Sequence, residues 1–336
     1  MSGFVQLIPD SNVIDLVDIA VLLNYERTTT EPRFRHAKLR EVAYPGEPLE
    51  SSSETHSRAG QTALRYVFDT QPNATEVPDL PSNLLPLVGH PMTDKVRALS
   101  PKQLETIFHQ ARESDGSYTA VTLLQHFFDL YPPQTEIRCR HVASWNGTTQ
   151  GIAYTTTIDH RVVTEMKIRG LKTATMSNVM PSGDKYESSS TMDHAFLSFL
   201  APEETMPQTI LDLSSMQFGD AGRGPGSEGQ SLFVLETFAE YATRIEKVSA
   251  GLDRSTIKTS YRVGPHGREG WDEWLKQVAQ RAKNRWEKRN TERWCSHCGK
   301  PVPSASCCDG CHAAWFCSKA HRALAWPFHK GYCKRG

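Results

Sequence analysis

Apolar side chains recur near helical spacing at Val13, Leu16, Val17, Ala20, Val21 and Leu23. This predicts a helix over residues 13–25, with Ser11 or Asn12 as its cap. Ser100-Pro101 opens a second helix, running to about residue 112, with Leu104, Ile107 and Phe108 on one face. Gly116 precedes a third over 117–130, carrying Ala120, Leu123, Leu124, Phe127 and Phe128. Short apolar runs then predict strands over 136–145, 151–157, 162–168, 195–200, 209–213 and 232–235. Residues 237–251 return to helical spacing through Phe238, Tyr241, Ala242, Ile245 and Val248. After a break at 264–270, residues 271–294 form a long basic helix with a stripe of Trp271, Trp274, Leu275, Val278, Ala279, Ala282 and Trp286, read as packing against the body. Helices followed by mostly antiparallel strands give an α+β order.

Between these segments the chain turns polar. Residues 28–60 hold Thr28-Thr29-Thr30, Pro45-Gly46 and Ser51-Ser52-Ser53, and read as loop or disordered chain. Residues 63–68 fit a strand or a helix equally. Residues 71–91 contain Pro72, Pro78, Pro81, Pro86 and Pro91 and read as an extended linker. Residues 182–190 read as a polar loop. The glycine-rich stretch 220–230 lacks the Gly-Lys-Ser/Thr ending and the preceding strand of a phosphate loop. The expected division is therefore an N-terminal helix at 1–27 and a polar, proline-rich, partly disordered linker at 28–95. An α+β body at 96–252, a basic amphipathic helix at 270–294 and a cysteine-rich module at 295–333 follow.

Charge balances overall, with 38 basic and 38 acidic residues, but not along the chain. Residues 271–336 carry 13 Lys and Arg against 5 Asp and Glu, which leaves 25 against 33 in residues 1–270. No helix with base-reading side chains stands out in the basic end, and metal-bound thiolates would offset part of its charge, so it reads as a solvated face rather than a nucleic-acid site. The Lys/Arg cluster at 281–289 is compatible with nuclear import. The N-terminus has no basic opening, and Asp15 and Asp18 interrupt the apolar run at 13–23. Neither a signal peptide nor a membrane span is expected, and the expected place is intracellular, in cytoplasm or nucleus.

The C-terminal segment carries the chemistry. Of 8 cysteines, all but Cys139 lie within 295–333. With two histidines they fall as Cys295-x2-Cys298, Cys308-x2-Cys311, Cys317-x3-His321 and His329-x3-Cys333. Four close pairs of soft ligands in so short a run point to two tetrahedral zinc sites. A tight turn lets thiolates three residues apart converge on one ion about 2.3 Å away, and a helical turn does the same for residues four apart. Disulfides would need an oxidising compartment, so reduced thiols are expected. Cys307 is the spare thiol, because only Cys308 leaves a two-residue gap to Cys311 with Gly310 available for the turn. His297 and His312 lie inside the turns and are read as facing solvent or standing behind the ligands. Eight ligands for two ions leave no open coordination position, so the zinc is structural. The segment's few apolar residues (Val302, Trp315, Phe316, Leu324, Trp326, Phe328 and Tyr332) cannot fold it unaided. Metal binding, on the order of 10 kcal/mol per site, would decide between folded and unfolded.

The segment resembles the MYND-type zinc finger in its ligand order and in the runs Trp315-Phe316-Cys317-Ser318 and Trp326-Pro327-x-His329-Lys330-x-x-Cys333. The resemblance, not the spacing, implies that the ligand pairs interleave. Site one is then Cys295, Cys298, Cys317 and His321, and site two is Cys308, Cys311, His329 and Cys333. Family members usually have cysteine where this chain has His321; a neutral imidazole still ligates zinc, with one less negative charge. The resemblance also implies a protein–protein interaction module that docks short, proline-containing peptides. Exposed Trp315, Trp326 and Phe328 would suit extended segments, whose preformed shape costs little entropy on docking. Some relatives join the finger to a SET-type methyltransferase domain, but no Asn-His-x-Cys motif is present here.

The body resembles no family closely. One constellation in it, a glycine-led helix followed by His194 on one strand and Asp212 on the next, is similar in order to papain-like and transglutaminase-like folds. There a cysteine opens the helix, the histidine takes its proton and the aspartate orients the imidazole. Here the helix opens with Ser117 and Tyr118, and Cys139 lies about twenty residues on, so the pair has no nucleophile. The blander reading is two strand-end polar residues. Two functions follow: an adaptor whose finger recruits a partner, or an enzyme or pseudoenzyme of cysteine-hydrolase-like ancestry regulated by the finger.

Overall fold

A computed structural model of the chain describes residues 13–50, 62–70, 77–87, 89–145, 148–204, 206–225, 229–264, 270–302 and 306–333. Strand β1 (Ile14–Asp15) and helix α1 (Leu16–Thr28) open it, followed by β2 (Ala37–Ala43), β3 (Thr62–Thr70), α2 (Asp94–Arg97), α3 (Pro101–Glu113) and α4 (Ser117–Phe128). Then come β4 (Glu136–Trp145), β5 (Thr148–Thr157), β6 (Arg161–Arg169), β7 (Thr173–Met180), β8 (Asp184–Glu187), β9 (Thr191–Leu200), β10 (Pro207–Asp212) and β11 (Val234–Glu236). Helix α5 (Phe238–Val248), β12 (Gly251–Ser260) and α6 (Trp271–Glu287) lead into the terminal module of β13 (Ser306–Cys307), β14 (Trp315–Phe316) and α7 (Lys319–His329). The fold is mixed α+β, as the order of apolar segments predicts.

The largest sheet is antiparallel, in the order β11-β10-β9-β6-β12. Alternation along β9 sorts its side chains between two cores. Ala195, Leu197 and Phe199 face α4 and α6, where they meet Leu123, Leu124, Phe127 and Val278. Met192 and Phe196 face α5, against Tyr241 and Ile245. Both faces being covered, β9 reads as a nearly continuous apolar run, and this is why it was visible in the sequence.

Helix α1 lies inside the molecule. Asp15 caps it, accepting from the amides of Val17 (3.1 Å) and Asp18 (3.4 Å), so the cap is neither Ser11 nor Asn12, which lie outside the described residues. Leu16, Ile19, Leu22 and Leu23 are fully buried, and so are Asn24 and Arg27. A helix apolar around most of its circumference can be satisfied only by burial on all sides.

Residues 28–95, expected as a linker, contribute structure instead. Strands β2 and β3 join β7 and β8 in a second sheet, ordered β2-β3-β7-β8, whose β3–β7 pair is parallel. Phe34, Leu39, Tyr66, Phe68 and Leu84 from this span bury against Leu104, Ile107 and Phe108 of α3. Alternation in β2 (Ala37, Leu39 and Val42 buried) is itself a strand pattern, but a short one inside a polar, proline-rich span whose composition dominates the reading; β3 contains the patch 63–68 that fits a strand or a helix. Pro81 simply opens a short 3-10 turn, Pro81–Asn83. The Ser51–Ser53 run and Pro72 lie outside the described residues, as does most of the 264–270 break. Strand β8 occupies part of the expected polar loop at 182–190, and neither β7, where Thr, Ser and Asn mix with Ala, Met and Val, nor β12, rich in Thr, Ser and charged residues, was foreseen. A third sheet, β1-β4-β5, completes the body.

Helix α3 starts as predicted, with a capping box in which the Ser100 hydroxyl meets the Gln103 amide. The apolar stripe of α6 (Leu275, Val278, Ala279, Ala282 and Trp286) enters the main core beside α1 and α4, and Trp294 beyond the helix packs on Trp286. No helix among the described residues is long and apolar enough to cross a membrane.

Candidate metal centres

The terminal module is held by short loops and one helix. Its first knuckle spans Cys295 to Gly299 and closes with a hydrogen bond from the Gly299 amide to the Cys295 carbonyl at 2.8 Å. Gly299 has φ +74°, in the left-handed region. The second knuckle, Cys308 to Cys311, continues the β13–β14 hairpin, with the Cys308 amide on the Ala314 carbonyl at 2.9 Å. Ser318 caps α7 through the His321 amide at 3.1 Å. That helix carries His321 in its first turn and His329 in its last, so one rigid element serves both sites.

The folding brings together the two interleaved sets. Ligand atoms of Cys295, Cys298, Cys317 and His321 all lie within 4.8 Å of one another, and so do those of Cys308, Cys311, His329 and Cys333. In the first set Cys298 Sγ and Cys317 Sγ are 3.8 Å apart, and His321 Nδ1 lies 3.2 Å from Cys317 Sγ and 3.6 Å from Cys295 Sγ. In the second, Cys308 Sγ and Cys333 Sγ are 3.6 Å apart, and His329 Nε2 is 3.5 Å from Cys311 Sγ. A tetrahedral zinc with Zn–S near 2.3 Å requires sulfurs about 3.8 Å apart, whereas a disulfide requires about 2.05 Å. All eight cysteines are free. The donor chemistry and spacing thus fit two structural zinc ions, each with three thiolates and one imidazole. Cys307 falls outside both sets, its Sγ 3.7 Å from His312 Nδ1.

The module is fused to the body at three places. A Cβ on Gly299 would lie 2.6 Å from Tyr25 Cβ and 2.7 Å from the Val21 carbonyl, so the first knuckle sits directly on α1. Arg285 of α6 donates to the Gly299 carbonyl at 2.6 Å. Tyr332 donates to the carbonyls of His141 and Ile152 on the β4–β5 pair, under the Arg140 guanidinium. Third, His297 is buried rather than facing solvent, with its Nε2 3.1 Å from Glu105 Oε1 on α3. Arg223 meets the other carboxylate oxygen at 3.0 Å. Burial alone would raise the Glu105 pKa, but His297 and Arg223 hold its carboxyl well below the usual carboxylate range. Glu105 carries no local motif and lies 192 residues from His297, so nothing in the sequence marks it.

The other constellation also assembles. His194 Nε2 and Asp212 Oδ2 are 3.0 Å apart on neighbouring strands, and Tyr241 OH reaches His194 at 2.7 Å and Asp212 at 3.0 Å. Ser214 donates to Asp212 Oδ1 through both its amide (2.8 Å) and its hydroxyl (2.7 Å). Burial disfavours the Asp212 charge, yet His194 and Ser214 together hold its carboxyl below the ordinary range. His194 is 0% exposed and does not line the neighbouring cavity of about 250 Å³, which Gln110, Met192, Gln217 and Phe218 border. Cys139 is elsewhere, in the core beside Tyr154, and burial pushes its thiol up to about 12. The set braces β9, β10 and α5. His194→Ala is expected to leave Asp212 and Tyr241 short of a partner and to cost about 1–3 kcal/mol, read as a lower denaturant midpoint. An unchanged midpoint would show that the brace carries no stability.

Residues 295–333 match the family model described as MYND finger. No curated protein and no solved structure matches the chain. With both ligand sets in place, the C-terminal segment of this chain is a MYND finger, a zinc-binding module of a family whose members mediate contacts between proteins.

Proposed function

We propose that the chain is an adaptor, in which a finger braced by two zinc ions docks short, extended, proline-containing segments of partner proteins. The observation that carries this reading is Trp326. It is 37% exposed on α7, one turn before the ligand His329, whose ring lies 5.9 Å away. A large aromatic side chain held by metal-fixed backbone offers contact area at little entropic cost to the receptor, and a polyproline-like peptide arrives already extended. The surface is narrower than the sequence implies. Trp315 is half-buried under the Arg293 guanidinium, and Phe328 leans on Tyr332 with ring centroids 5.1 Å apart.

The body supports recruitment rather than turnover, since its histidine–aspartate pair is sealed and its cysteine is buried away from it. An intracellular place, cytoplasm or nucleus, follows from the need to keep zinc-binding thiols reduced. The test is Trp326→Ala in the full chain, assayed by fluorescence polarisation against an array of proline-containing peptides and by zinc content. Loss of at least tenfold in affinity, with both ions retained, is expected for the best-bound peptides. Binding unchanged by the substitution, or no peptide bound by the native chain, would remove the proposal.

A further inference from the structure

The unusual histidine of site one faces two ways. Its Nδ1 points at the sulfurs of Cys317 and Cys295, at 3.2 and 3.6 Å, and this leaves Nε2 as the nitrogen that bears the proton when a metal is bound. Nε2 looks out of the finger toward the body, where Glu105 Oε1 lies 3.7 Å away. The same oxygen takes His297 Nε2 at 3.1 Å, and the His297 and His321 rings stand edge to face at 4.7 Å. Arg223 stands 3.0 Å from Oε2 as an ion pair, with no hydrogen bond between them. Glu105 therefore has one oxygen facing the guanidinium and the other presented to two imidazoles, one of them a zinc ligand.

We propose that Glu105 of α3 is the positioning residue of site one: its carboxylate faces the Nε2–H of His321 at ion-pair distance, fixes the ring with Nδ1 toward the metal, and so makes the first zinc site a joint product of finger and body. Three physical points support it. A cysteine in this position has no second donor to satisfy, whereas a histidine does, and a ligand histidine ordinarily gives its free N–H to a carboxylate or carbonyl. The acceptor is available because Glu105 is 4% exposed and aimed at the finger from a capped, rigid helix. Finally, the carboxylate restores beside the site the negative charge that the exchange of cysteine for histidine removes. Site two has no such carboxylate: among the described residues none meets His329 in an ion pair, and its tie to the body is Tyr332, beside Cys333.

The test uses the full chain loaded with two zinc ions, titrated with a chelating dye while exposed cysteines are alkylated and mapped by mass spectrometry. In Glu105→Gln, Cys298 and Cys317 are expected to become alkylated at about 10- to 100-fold lower chelator concentration than in the native chain, with Cys308 and Cys311 unmoved. In a His321→Cys background, where no Nε2 exists, Glu105→Gln is expected to leave site one unchanged. This second comparison separates positioning of the ligand from general support of the fold. The proposal is overturned if Glu105→Gln leaves site one as in the native chain, if it weakens both sites alike, or if it weakens site one equally in the His321→Cys background. A third tightly bound zinc in the native chain, lost on Glu105→Gln, would overturn it too, since Glu105 would then itself be a ligand.

Discussion

Removing zinc from the full chain with a strong chelator is expected to unfold residues 295–333 and to leave the α+β core folded but uncovered on one side. The finger's own apolar contacts are few: Cys308, Ala314, Phe316 and Ala325 form its buried cluster. Such a nucleus cannot offset the chain entropy of about forty residues at ~1–2 kcal/mol each. Binding of each ion contributes on the order of 10 kcal/mol, comparable to the whole stability of an ordinary domain. Hydrogen exchange should therefore show protection lost through α7 and both knuckles, and gained back when zinc returns. The body should respond locally. The seat of Gly299 on α1 and the pocket of His297 beside Glu105 both open when the finger melts, so exchange should rise at the C-terminal end of α1 and around Glu105. Exchange unchanged in the finger after verified zinc removal would contradict this account of its folding.

Gly299→Val is expected to cost on the order of 3 kcal/mol and to detach the first knuckle from the body. Two effects add. The backbone there is left-handed at φ +74°, which costs a residue with a Cβ about 1–2 kcal/mol. The new side chain would also start 2.6 Å from Tyr25 Cβ and 2.7 Å from the Val21 carbonyl, and overpacking of this kind costs about 1–3 kcal/mol. Helix α1 cannot yield, since Leu22 and Leu23 are fully buried beside that contact. The knuckle must move instead. The readouts are a lowered denaturant midpoint and faster alkylation of Cys298, with site two intact. A midpoint within error of the native chain would mean that the finger only leans on the body.

The eight cysteines and histidines that cluster in two sets were legible because zinc demands fixed ligand types at fixed spacing, a constraint read without knowing the fold. The interleaving of the pairs was supplied by the resemblance, and the clusters around α7 have that arrangement. Elements with strong apolar periodicity or explicit caps were legible as well, including α3 behind Ser100 and α5 through Phe238, Tyr241 and Ile245. What escaped was the second sheet. Strand β7, Thr173–Met180, mixes Thr, Ser and Asn with small or flexible apolar residues; β2 lies in a span whose prolines and serines suggest a linker, and within β3 the patch 63–68 fits a helix as well as a strand. Their stability comes from pairing with distant strands and from α3, which is information about partners rather than about local composition. The sequence leaves His297 between solvent and a place behind the ligands for the same reason, because a lone histidine in a knuckle has no local mark distinguishing solvent from a carboxylate on a remote helix; the structure has the second.

Native mass spectrometry of the full chain, purified without chelator, tests the central claim most directly. Two zinc ions on every folded polypeptide, with all cysteines reduced, is the result this account predicts. A folded chain that carries no zinc, or one whose finger cysteines are joined in disulfides, would contradict it.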